Sequence, residues 1–187
     1  MKKKTLALLL ALVLVFGAAV GGTIAYLTDT TGPVTNTFTV GNINIDLDET
    51  VDDFKMIPGC DITKDPKVTV VANSEACWLF VRIDESSNLH DFISYTVANG
   101  WTKGDGTNIP SNVWYRSVAA STTDQIFPVL AGDKVTVNDA VTKTMMDGLT
   151  DNTRPTLTFT ACAVQADGFD TAAAAYAQAP TSFKPTT

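Results

Sequence analysis

Apolar and polar residues alternate along much of this chain. Phe38 and Val40 alternate with Thr37 and Thr39; beyond Gly41, Ile43, Ile45 and Leu47 alternate with Asn42, Asn44, Asp46 and Asp48. A period of two is the signature of a strand with one buried and one wet face. The apolar parity changes from even to odd across Gly41-Asn42, which predicts a bulge or tight bend there. Further strands are predicted at 67–72, 77–83, 93–98, 113–118, 125–130, 134–137 and 156–164. The segment 77–83 (CWLFVRI) is apolar on both faces apart from Arg82, so it is expected to lie centrally. Pro58-Gly59, Asn99-Gly100, Gly104-Asp105-Gly106 and Ala131-Gly132-Asp133 read as turns between them. Two helical stretches are expected, at 141–149 and at the alanine-rich 171–178, the second capped by Asp170. Short strands, frequent turns and few helices predict an all-β fold, an antiparallel jelly roll or β-sandwich with one or two short helices.

The N-terminus follows a different pattern. Lys2, Lys3 and Lys4 precede an unbroken apolar run at 6–16, and small residues follow: Gly17, Ala18, Ala19, Gly21, Gly22 and Ala25. This is the layout of a secretory signal peptide. Two cuts fit, one after Gly17-Ala18-Ala19 and one after Thr23-Ile24-Ala25. An uncleaved anchor is the alternative, since the uncharged stretch is just long enough to span a bilayer. No second apolar stretch of that length is expected, and the C-terminal residues show no hydrophobic sorting tail.

Composition narrows the function. The 187 residues carry a net charge of −7, and without the three N-terminal lysines 10 Lys+Arg face 20 Asp+Glu. So acidic a body argues against nucleic-acid binding, which needs a basic face. It also argues against anionic membrane surfaces. The single histidine, His90, excludes sites that need two imidazoles from one chain.

Three pieces of the chain resemble the TasA/camelysin proteins of Gram-positive bacteria. The first is Gly22-Thr23-Ile24-Ala25-Tyr26-Leu27-Thr28-Asp29 with the strand from Asn36 to Leu47, similar to a SipW-type signal peptide and first strand. The second is Ile57-Pro58-Gly59 leading into the strands at 68–73 and 78–83. The third is 158–166, similar to the family's last core strand, with the alanine-rich segment after it. The resemblance implies export, cleavage between Ala25 and Tyr26 by a SipW-type signal peptidase, and a location in the extracellular matrix or at the cell surface. It also implies a jelly roll that self-associates into biofilm matrix fibres, the N-terminal segment of one subunit completing the sheet of the next. An accessory matrix protein or a polysaccharide is a further partner. The implied organisation is a signal peptide at 1–25 and one domain at 26–187, with an arm at 26–35 and a flexible tail at 180–187. The donor arm would be Tyr26, Leu27, Thr28, Asp29, Thr30, Thr31, Gly32 and Pro33. Gly32-Pro33 separates it from the following strand, and an extended arm suits β-strand addition. Such a head-to-tail contact need not close, so it propagates.

Other candidate chemistry is weaker. Asp46, Asp48, Glu49, Asp52 and Asp53 form an acidic cluster with calcium-type oxygen ligands. It lacks the D-x-D-x-D-G loop, and a solvated acidic strand end is the simpler reading. Cys60, Cys77 and Cys162 allow at most one bridge; buried free thiols in the two strands and one disulfide both remain open. Trp101, Trp114 and Tyr115 flank the loop 103–108 and suggest a glycan platform, against the more frequent role of aromatics as core. The metallopeptidase label of camelysin-type relatives has no counterpart here: there is no H-E-x-x-H motif, and His90 sits in an expected loop. No enzyme activity and no cofactor are expected.

Overall fold

The computed structural model describes residues 42–50 and 56–185, all within the unit Val40–Thr187. The signal peptide, the cut at Ala25-Tyr26, the arm Tyr26 to Pro33, the strand around Phe38 and the bend at Gly41 lie outside them. So do Asp52 and Asp53.

Among the described residues ten strands are arranged in three antiparallel sheets. The first holds β1 (Ile45–Asp48), β3 (Lys67–Val70) and β8 (Gln125–Pro128), with β3 in the middle. The second holds β10 (Leu157–Gln165), β4 (Cys77–Glu85), β7 (Val113–Val118) and β6 (Thr102–Lys103), in that order. The third holds β2 (Asp61–Thr63), β9 (Lys134–Val137) and β5 (Ile93–Ser94). Short helices α1 (Leu89–Phe92), α2 (Lys143–Asp147) and α3 (Ala172–Ala177) and a 3-10 turn at Ala131–Asp133 complete the described elements. The chain is an all-β sandwich, as the alternation predicts.

The first two sheets form the sandwich. Val68 and Val70 of β3 meet Leu79, Val81 and Ile83 of β4 in one buried cluster, with Phe127, Leu157 and Phe159 packed at its margins. As expected, β4 is central: it pairs along its length with β10 and, over residues 77–82, with β7. Both its faces are apolar because both are covered. Phe80 faces away from the sandwich, with Val113 and Cys162, into a second cluster closed by Ala175, Tyr176 and Phe183. The result is three layers: sheet, sheet and C-terminal cover.

That cover corrects two expectations. Thr171, not Asp170, caps α3; its side chain accepts the Ala174 N–H at 3.2 Å. The tail expected to be flexible from 180 is docked as far as Phe183, which is 2% exposed and whose carbonyl accepts a bond from the Arg82 guanidinium. Alanines leave no long side chains between helix and sheet, and one Phe then anchors the end; burying such a ring contributes about 2–3 kcal/mol. The segment 93–98 is also less regular than its pattern suggests. Only Ile93 and Ser94 form a strand, and Val97 makes a separate bridge to Leu130. The pairs β2 and β6 are too short and too polar to show alternation, and they owe their extended form to β9 and β7.

Candidate functional site: the open side of the sandwich

Each sheet of the sandwich ends in two edge strands. On one side the gap between sheets is plugged. Arg116 of β7 stands opposite Leu79 and points between the sheets. Its guanidinium lies 4.1 Å from the Phe127 ring centre and 5.5 Å from that of Trp101. Trp101 is 8% exposed and its Nε1–H donates to the Pro128 carbonyl at 2.9 Å, tying β8 to the chain before β6. Cation–π contact lets a charged head sit between aromatic faces where a carboxylate is absent.

Among the described residues the other side, at β1 and β10, is open. Among the described residues β10 has one strand partner, β4, along all nine positions, so its outer edge carries no strand. Two clefts lie at its start, touching Leu157, Thr158 and Phe159. The larger, about 740 Å³, has an apolar wall that includes Ile62, Leu89, Ile93, Val135 and Leu157, with Lys64, Asp151 and Arg154 also lining it. The smaller, about 260 Å³, lies among Leu47, Pro66, Leu157 and Phe159. Leu157 and Thr158 line both, so the clefts meet at the start of β10. An edge strand next to an apolar trough offers backbone donors and acceptors to an added strand and pockets to its alternate side chains.

Electrostatics hold the rim in place. Lys64, 9% exposed, pairs with Glu49 at 2.6 Å and lies over the Phe159 ring at 5.5 Å. Asp65 accepts the Thr50 N–H at 3.1 Å, the Thr50 hydroxyl at 2.8 Å and the Lys67 ammonium at 3.1 Å. These donors, the Thr50 N–H foremost, pull its carboxyl down to about 2. At the end of β4, Glu85 accepts from the Tyr95 hydroxyl and meets His90 Nε2 at 2.9 Å. His90 stands on helical α1, not in a loop, and stacks on Tyr95.

The other sequence candidates fall elsewhere. Asp46 and Asp48 are exposed on β1, while Glu49 is engaged by Lys64. Among the described residues no three His, Cys, Asp or Glu side chains stand together as a metal site. All three cysteines are free thiols. Cys77 belongs to the sandwich core and Cys162 to the cluster under α3, on the opposite face of the same sheet. Burial pushes the two thiols up to about 11 and about 12. Cys60 is exposed. The aromatic platform is not formed. Trp101 is core, Trp114 packs at the sandwich interior under Lys103, and Tyr115 contacts Phe80 on the opposite face. Alternation along β7 sends Trp114 and Tyr115 to opposite sides, a consequence already present in their adjacent numbers. What sequence reasoning missed is the trough itself. Its wall joins residues from Met56 to Thr158, and no local pattern reports that meeting.

Comparison with protein-family profiles, with curated proteins and with solved structures gives no match for this chain. Among the described residues no helix is long and apolar enough to cross a membrane.

Proposed function

We propose that this chain is an exported structural subunit of extracellular fibres, assembled by strand addition between copies. The donor is the segment Tyr26 to Pro33, freed by cleavage after Ala25, and the acceptor is the outer edge of β10. The observation that carries this reading is the nine-residue outer edge of β10, which has no strand partner among the described residues, with clefts at its first residues, Leu157 to Phe159. Three further features support it. An arm donated to the edge of the next copy makes a head-to-tail contact, and such a contact need not close. The opposite side of the sandwich is plugged by Arg116, Trp101 and Phe127, which leaves one side for addition. The N-terminal sequence has the form of a signal peptide ending in Ala25-Tyr26, and an arm still joined to it has no free end.

The test compares the chain beginning at Tyr26 with one beginning at Asn36, by light scattering and electron microscopy. Filaments from the longer chain alone are the expected result. Two stable monomers would overturn self-assembly through the arm.

A further inference from the structure

The turn Asn99-Gly100 has no role in the strand-addition reading, yet its chemistry is distinctive. Both residues are exposed, between the Val97–Leu130 bridge and buried Trp101. Gly100 has φ +90°, a backbone form that L side chains rarely adopt. Among the described residues neither the Gly100 N–H nor the Asn99 side-chain amide is held by a hydrogen bond. The Arg116 guanidinium lies against this turn: a Cβ on Gly100 would stand 3.3 Å and 3.4 Å from its two terminal nitrogens. Among the described residues Arg116 is also the one arginine of three without a carboxylate partner; Arg82 pairs with Asp84 and Arg154 with Asp151. Its Nε is buried without a hydrogen-bond partner.

We propose that Asn99 is a site of spontaneous covalent modification, converted through a succinimide to aspartate and isoaspartate, with the Arg116 guanidinium favouring ring closure. The Gly100 backbone nitrogen attacks Cγ of the Asn99 carboxamide. A new N–C bond closes a five-membered ring, the bond from Cγ to the side-chain nitrogen breaks, and ammonia leaves with the proton lost by the Gly100 N–H. Water then adds to either ring carbonyl and reopens the ring, giving a carboxylate and either the original or a one-carbon-longer backbone. A glycine at the attacking position puts no side chain in the way. A fixed cation beside the turn stabilises the negative charge that develops on the attacked carboxamide oxygen. The product carboxylate then provides Arg116 with the anion it lacks.

Asp105-Gly106 shows the contrast within one molecule. Gly106 has φ +76°, but the Asp105 carboxylate accepts the N–H groups of Thr107, Asn108 and Ile109 at 2.8–3.0 Å and is locked. Asn88, Asn112, Asn138 and Asn152 are each followed by a residue with a side chain, which shields the attacking nitrogen.

The experiment is peptide mapping by mass spectrometry of the purified chain held in mildly alkaline buffer, with isoaspartate scored separately. The expected result is a gain of one mass unit at Asn99 ahead of every other asparagine, absent in Asn99→Gln. An Asn99 amide that persists in the folded chain, while the urea-unfolded chain converts there, overturns the site. Arg116→Met keeps an apolar stem between Trp101 and Phe127 and removes the charge; Arg116→Gln is the second variant. Either one that folds is expected to convert Asn99 about fivefold more slowly, the effect of one unit charge at about 4 Å in high dielectric. An unchanged rate in the folded variant overturns the part assigned to Arg116.

Discussion

The two sides of the sandwich are built from similar strands and end differently. At β8 and β7 the gap is filled by Trp101, Phe127 and the guanidinium between them, and a Trp101 N–H bond clamps the sheets. At β1 and β10 the residues that meet the gap are Leu47 and Leu157, with Phe159 behind them, and clefts remain. Three large planar groups close a gap that aliphatic side chains leave partly open, because flat groups stack without voids. Among the described residues one side of the sandwich is thus closed and the other carries an uncovered edge. Long exposed edges are usually shortened, charged or covered. β10 is nine residues long and its exposed residue at the trough, Thr158, is uncharged.

This comparison is open to direct attack. The largest effect is expected at the open side: Thr158→Lys puts a charge on the acceptor edge and abolishes filament growth, with the thermal midpoint of the monomer nearly unchanged. Filaments of normal length in that variant would move the acceptor away from β10. Next comes the plugged side. Trp101→Ala removes the largest group of the plug and is expected to cost about 3–5 kcal/mol in a urea titration. A loss under about 1 kcal/mol would mean that the plug does not hold the sheets together. Trp101→Phe keeps most of the ring and drops the bond to Pro128, at an expected cost of about 1 kcal/mol.

Acid is expected to loosen the rim of the open side through Asp65. Asp65 carries a folded-state pKa near 2, below its ordinary value of 3.8. A depressed carboxyl stabilises the fold fully above the unfolded pKa, and that contribution is lost as the pH falls through the folded one. The thermal midpoint should therefore drop as the pH falls from about 4 to about 2, and Asp65→Asn should flatten part of that drop. Asp105, whose carboxyl the Ile109, Asn108 and Thr107 donors pull down further, adds a loss that starts at the same pH and continues below it. The smallest effect is a control. A thiol reagent should label exposed Cys60 rapidly in the native chain and leave Cys77 and Cys162 untouched until it unfolds.

Much of the fold was legible because alternation is a local property. Strands β3, β4, β7, β9 and β10 sit within a residue or two of their apolar patterns. The centrality of β4 was visible in the apolar character of both its faces. The alanine-rich helix was visible too, though its cap was assigned one residue early, because Asp170 and Thr171 are both good caps and only geometry chooses. The tail was misread for a different reason: Pro and Thr at the end suggest fraying, while one well-placed ring, Phe183, decides the matter by docking on Tyr176.

The sequence by itself determined that this chain has period-two strands, an acidic body, an N-terminal apolar run behind three lysines and cysteines too few for a disulfide framework. These follow from neighbours in the chain and from totals. Only the tertiary structure decided that Trp101 and Phe127 clasp Arg116, that Trp114 and Tyr115 serve opposite faces as core, and that β10 has, among the described residues, a bare edge with a cleft at its start. Those outcomes depend on which strands become partners over separations of tens of residues. Pairing of that kind is set by the best joint burial of all the strands, and no single segment records it.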